Sequence, residues 1–285
     1  MQKSSAILLL SCPDRKGIVA SISNFLYKHN GNILDAAQYT SDPDTRFFMR
    51  VEWDLEGFDL SRDEITAAFA PLAESFGMTW SVRFSDDVSR IAVFVSRHEH
   101  CFHDLILRHR MGELSAEIAL VISNHLHLKP LAEQFGLPFI HIPITKETKQ
   151  EQELRELEEL ERHRIDLIIL ARYMQILTGT IVSRYPNRII NIHHSFLPAF
   201  AGGRPYHQAY DRGVKIIGAT SHYVTEDLDE GPIIAQDVIR ITHKDSVDDI
   251  KRKGKDIERI VLAQAVRTHL ENRILVHGSK TIIFD

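Results

Sequence analysis

"RFFMRVEWDL", residues 46–55, alternates apolar and polar side chains except at Phe48. Phe47, Met49, Val51, Trp53 and Leu55 share one parity; Arg50, Glu52 and Asp54 share the other. Successive side chains of an extended strand point to opposite faces, so the spacing predicts a half-buried strand. Upstream, residues 6–12 read as a short apolar strand, "PDRKG" as a turn, and Ile18, Val19, Ile22, Phe25 and Leu26 as one helix face that stops at Gly31. Ile33 to Thr40 reads as a strand. Downstream, Ile65, Phe69, Leu72 and Phe76 mark a helix over 61–76, with Gly77 as its stop and a kink expected at Pro71. Met78, Trp80, Val82 and Phe84 alternate again. The order is βαββαβ, the ferredoxin-like split arrangement.

The polar stretch "FSDDVS", 84–89, separates this unit from the rest of the chain, so two domains are expected, 1–85 and 86–285. In the second the pattern changes. Ile91–Val95, Ile118–Ile122, Phe139–Ile142, Ile165–Leu170 and Ile189–Ile192 are uninterrupted apolar runs between helical segments. Such runs imply a mostly parallel, Rossmann-like α/β sheet covered on both faces. "KETKQEQELRELEELERHR", 146–164, is the most helical stretch, and its charges read as a solvated face.

Bulk properties exclude several classes. The formal net charge is -5 over 285 residues, which argues against a nucleic-acid-binding surface. No stretch approaches the roughly 18 apolar residues of a membrane span. Ala6 to Leu10 is too short for a secretory h-region of about 7–15 residues. Two distant cysteines, Cys12 and Cys101, make no disulfide framework, so a reducing cytoplasm is expected.

The turn after the first run of the second domain reads "VSRHEHCFHDLI", with no glycine. A dinucleotide or phosphate loop built from backbone amides is therefore not expected there. His98, His100, Cys101 and His103 are metal-capable, but H-E-x-x-H would need a histidine at 102, where Phe102 stands. No metal is expected.

"IINIHHSFLPAF", 189–200, raises a different chemistry. Asn191 and His193 are separated by one residue at a strand end, so both point to one face. An amide N–H and an imidazole there could grip a carbonyl oxygen that becomes an oxyanion on attack. An acyl-transfer site also needs an acid to manage the nucleophile's proton. The loop between the strand patterns 214–224 and 232–238 offers Glu226, Asp227, Asp229 and Glu230, and spacing alone does not choose among them.

Two resemblances add to this reading. "SCPDRKGIVASISNFLYKHNGNI", 11–33, resembles the ACT family of regulatory domains. That implies a homo-oligomer, with an amino-acid effector held at the strand-to-helix turn near Gly17; helix-start amides suit a carboxylate. "NIHHSFLPAF" with "GATSHYVTEDLDEGPIIAQ", 218–236, resembles the folate-dependent formyltransferase family, whose pattern is N-I-H-x-S-x-L-P, then H-x-V-T, then L-D-x-G-P-I. The resemblance implies a catalytic trio of Asn191, His193 and Asp229. It also implies folate contacts at Gln175, Ile176 and Leu177 in "LARYMQILTG", 170–179, at the backbone of Val224 and Thr225, and support from Ser195.

Family members with a phosphate-bearing amine substrate use a glycine-rich loop after the first strand, and those acting on tRNA carry a C-terminal tRNA-binding domain. Neither pattern is found in this sequence. "HHSFLPAF", "GGRPYHQA" and "GVKIIGATSHYVT" with an ACT domain in front imply the branch in which water replaces the amine. The implied reaction is hydrolysis of 10-formyltetrahydrofolate to formate and tetrahydrofolate, balancing the one-carbon folate pool and supplying formate for purine synthesis. Tetrahydrofolate is then a product, and no cofactor or metal is required. Asp229 would orient the water directly or through His193. Transfer of the formyl group to an unidentified amine is the alternative; a non-catalytic sensor is a second.

Overall fold

The computed structural model describes residues 4–42, 45–198 and 205–284. Contacts divide the chain into two compact units. One ends at Asp87 and also takes in Glu271–Leu275 and the residues from Ile282 on; the other runs Val88–Leu270 with Val276–Thr281.

The first unit contains β1 (Ser5–Pro13), α1 (Ile18–Lys28), β2 (Asn32–Ser41), β3 (Arg46–Asp54), α2 (Arg62–Phe76) and β4 (Thr79–Phe84). Its sheet is antiparallel, ordered β2-β3-β1-β4. Both helices start and stop where the sequence signals. Gly17 caps α1 at φ 94°, a left-handed angle that favours glycine. The Ser61 backbone N–H donates to Glu64 Oε2 at 2.9 Å to open α2, and Gly77 closes it at φ 63°. Pro71 lies inside α2 without ending it. Leu8, Leu10, Ile22, Leu26, Val51, Trp53 and Phe69 form the core between helices and sheet.

The strand at 46–54 departs from expectation on its second face. Phe48 is 1% exposed and Arg50 only 6%, so β3 is buried on both sides. The cause is the chain's return. Phe284, Leu275 and Ile282 pack on Leu9 and Phe48, while Arg50 Nε donates to the Asn272 carbonyl at 3.2 Å. Asp35 and Glu52 neutralise the covered guanidinium at 2.8 and 2.7 Å.

The second unit contains β5 (Ser89–Val95), α3 (His100–Arg110), β6 (Ala116–Ser123), α4 (Lys129–Gln134), β7 (Phe139–His141), α5 (Lys149–Arg162), β8 (Leu167–Ala171), α6 (Gly179–Val182), β9 (Ile189–His193), α7 (Pro205–Asp211), β10 (Ile216–Tyr223), β11 (Ile233–Arg240) and α8 (Val247–Leu270). A short hairpin, β12 (Ile274–His277) and β13 (Lys280–Ile283), comes after α8. The seven-stranded sheet is ordered β11-β10-β9-β8-β5-β6-β7. Strands β5 to β9 are parallel, and β10 and β11 add an antiparallel margin. The apolar runs are the parallel strands: Ile91, Val93, Leu120, Ile122, Ile168 and Ile190 are fully buried.

The order in which strands are added reverses between β5 and β8, where two crossovers diverge and leave a crevice beyond the strand ends. Ser96 Oγ bridges that point, donating to Asn124 Oδ1 at 2.7 Å and accepting from the Met174 N–H at 2.9 Å. No helix among the described residues is long and apolar enough to cross a membrane. Of the "GGRPYHQA" motif, residues 202–204 lie outside the described residues.

Candidate active site

Strand β9 ends at His193, and β10 runs antiparallel beside it with His222 opposite Asn191. Directly opposed residues share a face, so the register brings their side chains together. Asn191 Nδ2 lies 3.3 Å from His222 Nε2. His222 Nδ1 lies 2.9 Å from the Tyr223 carbonyl and donates to it, which leaves Nε2 to accept from Asn191. The sequence reading gives His222 no role. The signal for one is its place at the head of H-x-V-T in "HYVT".

Asp229 reaches the same place from the loop after β10. Its Oδ2 is 3.2 Å from His193 Nδ1 and its Oδ1 is 3.7 Å from His222 Nε2. Its backbone is left-handed at φ 59°, a region that aspartate tolerates better than most residues. The loop is pinned by Gly231, where any Cβ would collide with the Tyr223 carbonyl. Glu226, Asp227 and Glu230 are exposed; of the four loop acids, only Asp229 contacts an imidazole among the described residues. The hydrogen bond from His193 holds the Asp229 carboxyl well below the usual carboxylate range. His193 is 6% exposed, and its Nε2 is buried with no hydrogen-bond partner among the described residues. An orphaned buried imidazole nitrogen is costly unless a ligand completes it.

These side chains open into a cavity of about 360 Å³. Asn191, His193, Asp229, Gln175, Ile176, Leu177, Val224 and Thr225 all line it. Ser195 does not; it is 4% exposed, and its carbonyl accepts from Thr220 Oγ1 at 2.9 Å. Arg172 and His194 line the cavity in addition, and burial first, then Arg172, depresses the His194 pKa to about 4.

The segment 172–178 forms one wall, and α5 holds it from behind. Here the solvated-face reading fails: Glu153 and Glu156 are 1% and 0% exposed. Glu156 accepts from Tyr173 O–H at 2.7 Å, and Glu153 accepts from the Thr178 N–H at 3.0 Å. Burial raises the Glu156 carboxyl to about 7 despite the tyrosine.

His100, Cys101 and Glu258 bring metal-capable atoms within 4.8 Å of one another. Their chemistry does not suit a cation. Glu258 already accepts from Tyr206 and from His100 (2.7 Å), and Arg172 Nε lies 3.5 Å away. Burial opposes its charge, yet His100 and Arg172 hold it at about 2. The Cys101 thiol is pushed well up by burial, so a thiolate ligand is disfavoured.

With this geometry in view, the chain was compared with known proteins. Residues 89–266 match the formyl transferase family and residues 6–72 the ACT domain. A formyltetrahydrofolate deformylase from Synechocystis sp. is 55% identical over 100% of both chains. The chain belongs to the formyltetrahydrofolate deformylase family. A Bacillus subtilis member is 53% identical, covering 98% of this chain and 93% of its own. The crystal structure of the Pseudomonas syringae member superposes with a TM-score of 0.98 at 45% identity, covering 100% of this chain and 96% of that one. The family match spans both units, so the ACT unit and the formyltransferase-type sheet are features of the whole family chain.

Proposed function

We propose that this chain hydrolyses 10-formyltetrahydrofolate to formate and tetrahydrofolate, with Asn191, His193 and Asp229 as catalytic residues. The observation that carries the reading is the His193 ring: Nδ1 faces Asp229 at 3.2 Å, and Nε2 is buried beside the cavity, with no hydrogen-bond partner among the described residues. Asp229 accepts a hydrogen bond from Nδ1–H and so leaves Nε2 as the base. Because Asp229 stays ionised and is turned to imidazoles, it acts on water through His193.

In the proposed sequence, a water placed between Nε2 and the formyl carbon gives one proton to Nε2 as its oxygen bonds to carbon. Asn191 has a second amide hydrogen free of His222 and donates it to the developing oxyanion. Asp229 stabilises the imidazolium. The intermediate then collapses, the C–N10 bond breaks, and Nε2–H returns its proton to N10. Formic acid leaves as formate after losing its proton to solvent. Positioned proton transfer contributes roughly 10²–10⁴-fold and an oxyanion donor roughly 10²–10³-fold. Tetrahydrofolate leaves as product, so the proposed reaction uses no resident cofactor and no metal.

The pterin end of the folate is assigned to the cavity against Gln175, Ile176, Leu177, Val224 and Thr225. A cavity of about 360 Å³ suits a group of that size. Exposed Ile33, Leu34 and Tyr39 on edge strand β2 support a homo-oligomer. The left-handed helix start at Gly17 suits an amino-acid effector. Buried free Cys12 and Cys101 suit the cytoplasm. There, released formate would supply purine synthesis and the reaction would balance the folate pool.

The test is incubation with 10-formyltetrahydrofolate and no acceptor. Steady formate release supports hydrolysis. Silence until an amine is added would replace it with formyl transfer.

A further inference from the structure

A second cavity, of about 450 Å³, opens beside the turn that follows β5. Arg97 and His98 come from the turn, His100 and His103 from α3, His127 from the β6–α4 connection, and Lys255 and Arg259 from α8. Among the described lining residues, Glu99 is the only acid and Leu131 the only aliphatic side chain. The cavity is thus strongly basic in a chain whose net charge is -5. It shares no lining residue with the cavity at Asn191 and His193.

Two of the cations there have no ion-pair partner among the described residues. Neither Arg97 nor Lys255 has an ion-pair partner among the described residues, and both are exposed. Arg259 is paired with Asp256, and His100 with Glu258 at 2.7 Å. His98 carries the imprint of this environment: burial, then Arg172 and His100, then Lys255, work against its protonation. Like charges converging from several elements with one acid among them are unfavourable unless an anion completes the site.

We propose that this cleft binds a doubly charged oxyanion, specifically a phosphate group, free or carried by a small molecule. The phosphate is held by side chains, since the glycine-free turn offers no backbone cradle. Guanidinium, ammonium and imidazole donors approaching from the turn, α3 and α8 can serve three terminal oxygens at once, where a carboxylate offers two. The lining lacks the apolar and aromatic walls a pterin needs, which separates the cleft from the folate site.

The experiment is calorimetric titration of the full chain at neutral pH with inorganic phosphate, and in a second arm with succinate. Saturable binding of one phosphate per chain is expected, with succinate about tenfold weaker or more. The double substitution Arg97→Ala and Lys255→Ala should weaken phosphate about tenfold or more. Its formate release without phosphate and its melting temperature should match the parent chain. Lys255→Glu, a single exposed change, gives the same loss if the double variant misfolds. No saturable phosphate binding, unchanged affinity in the folded variants, or succinate binding as tightly as phosphate would each overturn the assignment.

Discussion

His193 Nδ1 and Asp229 Oδ2 lie 3.2 Å apart, joining the tip of a central strand to a left-handed residue of the loop after β10. The contact sets the histidine tautomer as well as its orientation. Asp229→Asn preserves shape but loses a charge and offers an N–H where an acceptor is needed. We expect kcat to fall about 10²-fold or more with KM little changed. Turnover within a few-fold of the parent would remove Asp229 from the mechanism.

Asn191→Ala should lower kcat by about 10²–10³-fold through loss of the oxyanion donor. His222 positions that donor at 3.3 Å. His222→Phe should cost less, about tenfold, because the amide remains but is no longer aimed. In the folded double variant the two losses should not add, since both act through one amide. Additive effects in single-turnover kinetics would show that His222 acts by another route.

Tyr173 and Glu156 hold the wall of the cavity, so Tyr173→Phe should act mainly on substrate binding. It strips a buried carboxyl of its donor, for an expected loss of about 1–3 kcal/mol in stability. KM should rise more than kcat falls. An unchanged denaturant midpoint would show that the pair at 2.7 Å contributes nothing to the fold.

His194 makes stability depend on pH. Its pKa is depressed to about 4 from an ordinary 6.5. Between those values the unfolded chain binds the proton and the folded chain does not. Stability therefore falls as pH drops from 6.5 toward 4, by up to about 3 kcal/mol, and not further from this group. Glu156, raised to about 7, works in the opposite sense as it ionises. Unfolding curves of the parent and His194→Gln should thus be compared by difference. Curves that stay parallel across the window would refute the assignment.

Chelation should leave formate release unchanged, because the buried carboxylate at 258 is already saturated by Tyr206 and His100 with Arg172 nearby. Activity lost to chelator and restored by added metal would contradict this.

Much of this protein was legible in its sequence. Period-two alternation in 46–55 and unbroken apolar runs from 91 onward distinguished an antiparallel sheet from a parallel one, even though the polar parity of 46–55 is itself covered by the chain's return. The spacing of Asn191 and His193 put both on one strand face, since that depends only on local backbone geometry. Other features depended on contacts between distant segments. Arg50, Glu153 and Glu156 read as solvated, because a charge pattern does not reveal which face another segment will cover. Phe284 and Asn272 return across β3, and Tyr173 and Thr178 reach back to α5. Among the four loop acids, residue chemistry was nearly equal; only the β9–β10 register and the left-handed turn at 229 put one carboxylate beside two imidazoles. Local periodicity is written in neighbouring residues, whereas convergence of side chains is settled by how the sheet closes.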